Sequence, residues 1–233
     1  MSADKSLAMR FRRYSEVLYA LEGAARHQWG PLAKIQLQKV LFLTEMMGPF
    51  QQVIISHLDY RVWHRGPYSR DLQNAVDHLI ACGLVKITNY SIGAASDTVP
   101  TRTNQVEYAR YQLTDLGVKL IKELIDYEGN RDAQELVLLV CDLVDIYGLS
   151  NVVDLVYQEP TFAELKRAGR KGHSIVGPGV ENQTLRLLAF IDDAAKHKMR
   201  FERFDWTSLA LAFFETLWAN FSRRQQEATW TPN

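Results

Sequence analysis

"SRDLQNAVDHLIACGLVKI", Ser69–Ile87, decides how this chain folds. Ser69 offers a hydroxyl to the orphan amides of a new helix. Leu72, Val76, Leu79 and Ile80 then fall at i, i+4, i+7 and i+8, which makes one apolar stripe. The helix runs to about Cys82, and Gly83 stands where a left-handed residue closes it. The next stretch, Leu84–Tyr90, reads as a strand. A polar loop with Gly93, Ser96, Asp97 and Pro100 leads to a second strand, Val106–Leu113. Val106 and Tyr108 keep one alternation, whereas Tyr111 and Leu113 keep the other. A bulge is therefore expected near Ala109–Arg110. Thr114 caps a further helix, "LTDLGVKLIKEL".

Upstream, residues 53–63 carry Val53, Ile54, Ile55, Tyr60, Val62 and Trp63, which favour a strand. Gly66-Pro67 ends that strand and aims the Ser69 helix, with Trp63 and Tyr68 at core or corner positions. Two helices come earlier. Residues 10–27 place Tyr14, Val17, Leu18, Leu21 and Ala25 on one face. Residues 33–47 repeat the pattern with Ile35, Leu37, Val40, Leu41 and Leu43, and stop at Gly48-Pro49.

The order is helix, helix, strand, helix, long hairpin, helix, which is that of a winged helix-turn-helix. "HLIACGLVKI … YQLTDLGVKLIKEL" resembles winged-helix domains generally. In those the recognition helix ends in Leu-x-x-x-Gly-Leu-(Val/Ile) and the wing closes with Tyr-x-Leu-Thr-x-x-Gly. A narrower resemblance lies in "KIQLQKVLFLTE" followed by "YRVWHRGPYSRDLQNAVDHLIACGLV". It is similar to a group of bacterial proteins typified by YwgA, and distantly to the SocA-like or Panacea antitoxin domain. It spans roughly residues 33–117, with a weaker echo at "LSNVVDLVYQEP". This resemblance implies a winged-helix-like fold and a non-enzymatic role, often as an antitoxin or a component of a toxin–antitoxin or defence operon.

The third helix of a winged helix usually enters the DNA major groove, and the hairpin touches the backbone or minor groove. Opposite its stripe this helix carries Arg70, Gln73, Asn74 and Asp77. Gln and Asn pair bidentately with adenine and Arg with guanine. Arg65, Lys86 and Arg102 are placed to hold phosphates, and His64 stands beside Arg65. Asp71 and Asp77 oppose that use, and the 91–105 loop is nearly neutral. A protein partner for the same surface therefore stays open.

The remainder reads as a helical bundle. Residues 132–148 form an amphipathic helix with Leu136, Val137, Val140, Leu143 and Val144 inward. Short helices follow Ser150 and Pro160, then a longer one over residues 181–198, and a last one from Asp205. The last helix is apolar over more than a stripe, with Leu209, Leu211, Phe213, Phe214, Leu217, Trp218 and Phe221. It is either the central helix of the bundle or an oligomer or partner surface built on Phe214, Trp218 and Phe221. "KRAGRKGHSIVGPG" holds the densest basic cluster, Lys166, Arg167, Arg170 and Lys171, among four glycines. It reads as a mobile phosphate-binding arm or as a solvated loop between helices.

Composition narrows the classes. The chain has 233 residues, 47% hydrophobic and 23% charged, with no net charge. That suits a globular chain and supplies no global basic field to draw it onto nucleic acid. The charge is uneven. Residues 1–110 hold 13 Lys/Arg against 9 Asp/Glu, 111–159 hold 3 against 10, and 160–233 hold 11 against 8. Cys82 and Cys141 read as buried free thiols. No zinc spacing, His pair, Walker pattern or nucleophile elbow occurs, so neither metal nor cofactor is expected. Arg167-x5-His173 matches a loose HEPN ribonuclease spacing, and Asp154…Glu164-x-Lys166 a loose nuclease triad. The first stretch is broken by glycine and the second reads as helix, so both are set aside. No leader or membrane span is read, and the cytoplasm is the default compartment.

The sequence thus predicts a mainly α (α+β) protein, a winged helix over 1–127 and a helical domain over 128–233. The expected role is non-catalytic: a DNA-binding regulator or antitoxin-like component of a toxin–antitoxin or phage-defence operon. Alternatives are an adaptor that neutralises a toxin or bridges a defence complex, and a nuclease effector using the basic glycine-rich loop.

Overall fold

The computed structural model describes residues 3–53, 55–56, 58–94, 105–127, 129–176, 180–198 and 205–229. The chain is mainly helical with small antiparallel sheets. It runs α1 (Ala3–Arg26), β1 (Leu32–Ala33), α2 (Lys34–Met47), β2 (Tyr60–Trp63), β3 (Gly66–Ser69) and α3 (Arg70–Ala81). It continues with β4 (Val85–Ala94), β5 (Gln105–Leu113), α4 (Asp115–Leu124) and α5 (Asn130–Tyr147). Last come α6 (Val152–Gln158), α7 (Pro160–Arg167), α8 (Gln183–Lys198) and α9 (Trp206–Thr229).

α3 follows its punctuation. The Ser69 hydroxyl accepts from Leu72 N at 3.3 Å. At the other end, Gly83 N donates to Ile80 O and Leu84 N to Leu79 O, both at 2.9 Å, with Gly83 at φ +71°. This paired closure satisfies the last carbonyls. Leu72, Ala75, Val76 and Leu79 are buried. Cys82 is the residue just past the last turn and is exposed, unlike the buried thiol expected; Cys141 is buried against Gly23 of α1.

β5 pairs with both β4 and β1, in the order β1-β5-β4. β1 is only two residues long, Leu32 opposite Tyr111 and Ala33 opposite Arg110. No alternation can show in so short a strand, and the sequence pattern begins a helix there. The bulge sits on β4, at Thr88, rather than on β5. Ala109 and Tyr111 are buried and Leu113 half-buried, so β5 keeps one alternation and the inserted residue falls on its partner.

Gly66-Pro67 is not a simple break. It opens β3, which returns antiparallel to β2, with Tyr60 opposite Ser69 and Trp63 opposite Gly66. The turn is His64–Arg65. Strand alternation turns Tyr60 and Val62 inward and Arg61 and Trp63 outward. Trp63 is therefore 52% exposed, not a core residue.

One contiguous core runs from Val17 on α1 to Leu217 on α9. Its all-round buried element is α2, in which every residue from Leu37 to Met47 is buried. α2 is covered by α1, α5, α6 and α8. α9 packs instead by one side, against α5, α6 and α8. Glu215 and Ala219, one helical turn apart, are exposed on its other side. Among the described residues no single helix is long and apolar enough to cross a membrane.

Candidate functional site

The phrases that carry the narrower resemblance meet in space. Gln38 and Lys39 on α2 reach the edge of β3 that β2 leaves open. Gln38 Nε2 donates to Ser69 O at 3.0 Å, and its Oε1 accepts from Ser69 N at 2.9 Å. Lys39 Nζ donates to Pro67 O at 2.6 Å. The two side chains thus stand in for a neighbouring strand, because buried backbone groups must be paired. The Tyr60 hydroxyl donates to Gln38 O at 3.2 Å. Gly66 sits at φ +93°, and a Cβ there would lie 2.8 Å from Lys39 Nζ. Burial alone pulls the Lys39 ammonium down to about 7. Changing Gln38 to Leu strands two buried backbone groups and is expected to cost about 2–4 kcal/mol. Urea unfolding checks this; a loss under about 0.5 kcal/mol contradicts it.

A second buried polar group lies beside it. Glu16 on α1 accepts from Ser56 N at 2.8 Å, and its other carboxyl oxygen bonds the Ser56 hydroxyl. Glu45 of α2 accepts from Leu58 N at 3.4 Å. Burial first and the Glu45 charge second push the Glu16 carboxyl up to about 8, against the pull of the Ser56 bonds. Both carboxylates fasten the segment between α2 and β2 to the core.

The hairpin tip reaches the other side of the molecule. Gly172 N donates to Val62 O at 2.8 Å, Val62 N to His173 O at 3.0 Å, and Ile175 N to Tyr60 O at 2.7 Å. The Gly172–Ile175 part of the basic glycine-rich segment is therefore held along β2 as a third ribbon edge, not as a free arm. Lys171 Nζ stands 5.8 Å from the Trp63 ring centre. Lys166 Nζ stands 4.0 Å above the Tyr157 ring on α6. The Tyr157 hydroxyl meets His64 O at 3.5 Å; burial first and the Asp154 charge second push that phenol up, against the pull of the Arg65 charge. Arg65, Lys166 and Lys171 thus share one surface with two aromatic rings. Arg167 ends α7 and is exposed, and Arg170 lines a neighbouring cleft with Glu164 and Glu181. Glu164 and Lys166 lie on different faces of α7, and Arg167 and His173 lie on no common helix.

The other expected contacts lie elsewhere. Arg65 and Arg70 bracket β3, about 16 Å apart along an extended chain. On α3, Arg70 and Asn74 are exposed. Gln73 is half-buried, and its Nε2 donates to Asp77 Oδ1 at 2.8 Å and to the Tyr111 hydroxyl at 3.3 Å. Asp71 is paired with Arg13 at 3.0 Å. Lys86 is exposed on β4, and Arg102 lies outside the described residues. Phe214 is wholly buried and stacks with Tyr147, so it fastens α9 to α5 and offers no surface. Trp218 and Phe221 are half-buried against each other, Trp218 also meeting Tyr147.

Gln38, Lys39, Tyr157 and Glu16 are site residues whose role no motif in the sequence marks. The signal of the first two is a polar pair, Gln38-Lys39, set between the apolar Leu37 and Val40 in a stretch that is buried throughout. The echo segment carries Tyr157, and its Glu159 accepts from Thr161 N and Phe162 N to cap α7. Among the described residues no group of three or more His, Cys, Asp and Glu is arranged to hold a metal. Compared with protein-family models and with curated proteins, this chain matches none.

Proposed function

We propose that this protein is a winged-helix DNA-binding module of the regulatory or antitoxin-like kind suggested by its YwgA-like and Panacea-like phrases. The observation that carries the reading is the pairing of β1 with β5 beside β4, with α3 immediately before that hairpin. This strand order supports a winged helix, with the β2–β3 hairpin inserted between its second and third helices. In such a fold α3 reads the groove and β4–β5 flanks it. Arg70 and Asn74 on the exposed face of α3 are the base-reading residues, and Lys86 holds the backbone. Arg13 neutralises Asp71 and lowers the charge opposing a phosphate.

Arg70→Glu is expected to abolish retardation of a duplex from the protein's own promoter. Wild-type binding should weaken steeply with salt. Unchanged retardation by the variant removes α3 from the interface.

A second reading rests on a different surface. Leu7, Phe11 and Tyr127 are all exposed, and Phe11 and Tyr127 meet edge to face at 6.0 Å. A module that neutralises a toxin or bridges a complex would dock a protein on such an apolar edge of α1. Its binding would be nearly independent of salt, which separates the two readings.

A further inference from the structure

We infer that the ribbon formed by the β2–β3 hairpin and the Gly172–Ile175 segment is a second binding site, one that takes unpaired nucleotides of a single-stranded nucleic acid. It is separate from α3 and does not depend on α3 meeting a duplex.

Three features of the ribbon point to that ligand. The first is an offered ring. Trp63 lies on the outward face of β2, 52% exposed, and among the described residues its ring neighbour is His64, edge-on at 6.0 Å. The exposed part of that indole is offered to a flat partner, with the Lys171 ammonium over the ring at 5.8 Å. Every nucleobase has a flat face, and a base can use it only when it is not already stacked within a duplex.

The second is charge at the right places. Lys171 stands 5.8 Å from the Trp63 ring centre, and Lys166 stands 4.0 Å from the neighbouring Tyr157 ring. Arg65 forms the turn between the two strands. Cations beside a stacking ring are what the phosphates of a strand require. Asp59 beside the ribbon is occupied, since it pairs with Arg61 at 2.8 Å and accepts from the Ser174 hydroxyl at 3.0 Å, whereas the Asp154 charge reaches the Tyr157 phenol and opposes a phosphate on that side. Glu164 belongs to the face of α7 turned towards the Arg170 cleft, not to the Lys166 face.

The third is rigidity. Backbone hydrogen bonds hold β2 to β3 on one side and to Gly172–Ile175 on the other. Beneath the hairpin, Gln38 and Lys39 fix the outer edge of β3. A platform already in place loses little freedom when a base lands on it. The buried polar groups of α2 thereby acquire a purpose: they hold a small exposed hairpin still.

The test uses the whole chain and a fluorescent twelve-nucleotide oligothymidine, whose bases barely stack on one another. Anisotropy in low salt should show binding. Trp63→Ala should weaken it about tenfold, the value of one stacked base. Trp63→Phe should retain most of it, and Lys171→Glu should weaken it and flatten its salt dependence. Arg70→Glu should leave it unchanged, while Trp63→Ala should leave duplex binding unchanged. Trp63 is exposed, so its loss should not unfold the chain, and a circular dichroism spectrum identical to wild type checks this. The proposal is overturned if the oligomer does not bind in low salt, or if Trp63→Ala binds it as tightly as wild type. It is also overturned if a poly-glutamate peptide binds the same surface equally well and without regard to Trp63, which would make this an acidic-protein surface.

Discussion

The free energy of unfolding, followed against pH, will pass through a trough between about pH 7 and 8. Glu16 and Lys39 set its walls; the buried Glu159 carboxyl, raised by the same cause, adds to the acid side, and the raised Cys141 thiol opposes the alkaline rise above about pH 9. The Glu16 carboxyl is raised to about 8 by burial and by Glu45. Between its ordinary value of 4.5 and 8 the folded state holds a proton that the unfolded chain has lost. Stability therefore falls as pH rises across that window. The Lys39 ammonium is lowered from 10.5 to about 7 by burial. Between 7 and 10.5 the unfolded chain holds the extra proton, so stability rises with pH there. From 7 to 8 the two slopes cancel. Each unit is worth about 1.4 kcal/mol, so the fall from pH 5 to 7 is about 3 kcal/mol.

Variants separate the walls. Glu16→Gln keeps an acceptor for Ser56 N and removes its titration, so the acid-side fall shrinks to what the buried Glu159 carboxyl, also raised by burial, contributes, while the alkaline rise remains. Lys39→Met removes the alkaline rise and leaves the acid-side fall. Guanidinium unfolding at pH 5, 7.5 and 9, no higher than the ordinary values of the raised Cys141 thiol and tyrosines, reads all three proteins. Parallel profiles for wild type and Glu16→Gln between pH 5 and 7 would refute the assignment.

Gly117→Ala is expected to destabilise the protein by about 3 kcal/mol, an overpacking cost at the upper end of the usual range. α4 begins against Leu84, just before the start of β4. Thr114 Oγ1 accepts from Gly117 N at 3.1 Å and donates to Gly83 O at 2.7 Å. A methyl group on Gly117 would lie 2.3 Å from Leu84 O. Leu84 O is backbone and is itself held by Thr114 N at 3.1 Å, so it has no rotamer by which to retreat. For a chain of this length the loss should lower Tm by roughly 6–12 °C. The neighbouring Val118 is 44% exposed, and Val118→Ala should change stability by no more than about 0.5 kcal/mol. Equal melting temperatures for wild type and Gly117→Ala would refute the close approach.

Much of the framework was legible because it is local. A cap hydroxyl, an apolar stripe and a glycine act within one or two turns, and Ser69, Leu72 to Leu79 and Gly83 could be placed before any packing was known. Thr114 announced α4 in the same way, and Val137, Val140 and Val144 the buried side of α5. What escaped depends on partners far along the chain. β1 is two residues that become a strand only because Tyr111 and Arg110 lie opposite. Gly66-Pro67 looks like a stop and is a strand, because β2 lies opposite it across a two-residue turn; its other edge is satisfied by Gln38 and Lys39, about thirty residues earlier. The apolar composition of α9 leaves it either central or at a surface. Only packing decides which of two apolar helices is surrounded, and here it is α2.

The candidate surfaces divide along the same line. Residue type and helical spacing alone gave Arg70 and Asn74 their exposed face, since a helix with one buried stripe must turn its other side outward. Residue type alone also marked Lys166 and Lys171 as a basic cluster. That this cluster is pinned to β2, and that it shares a surface with Trp63 and Arg65 a hundred residues away, was decided by tertiary hydrogen bonds from Val62 to Gly172 and His173. Short-range hydrogen bonding and hydrophobic periodicity are written into a linear chain; the pairing of distant backbones exists only once the chain has closed on itself.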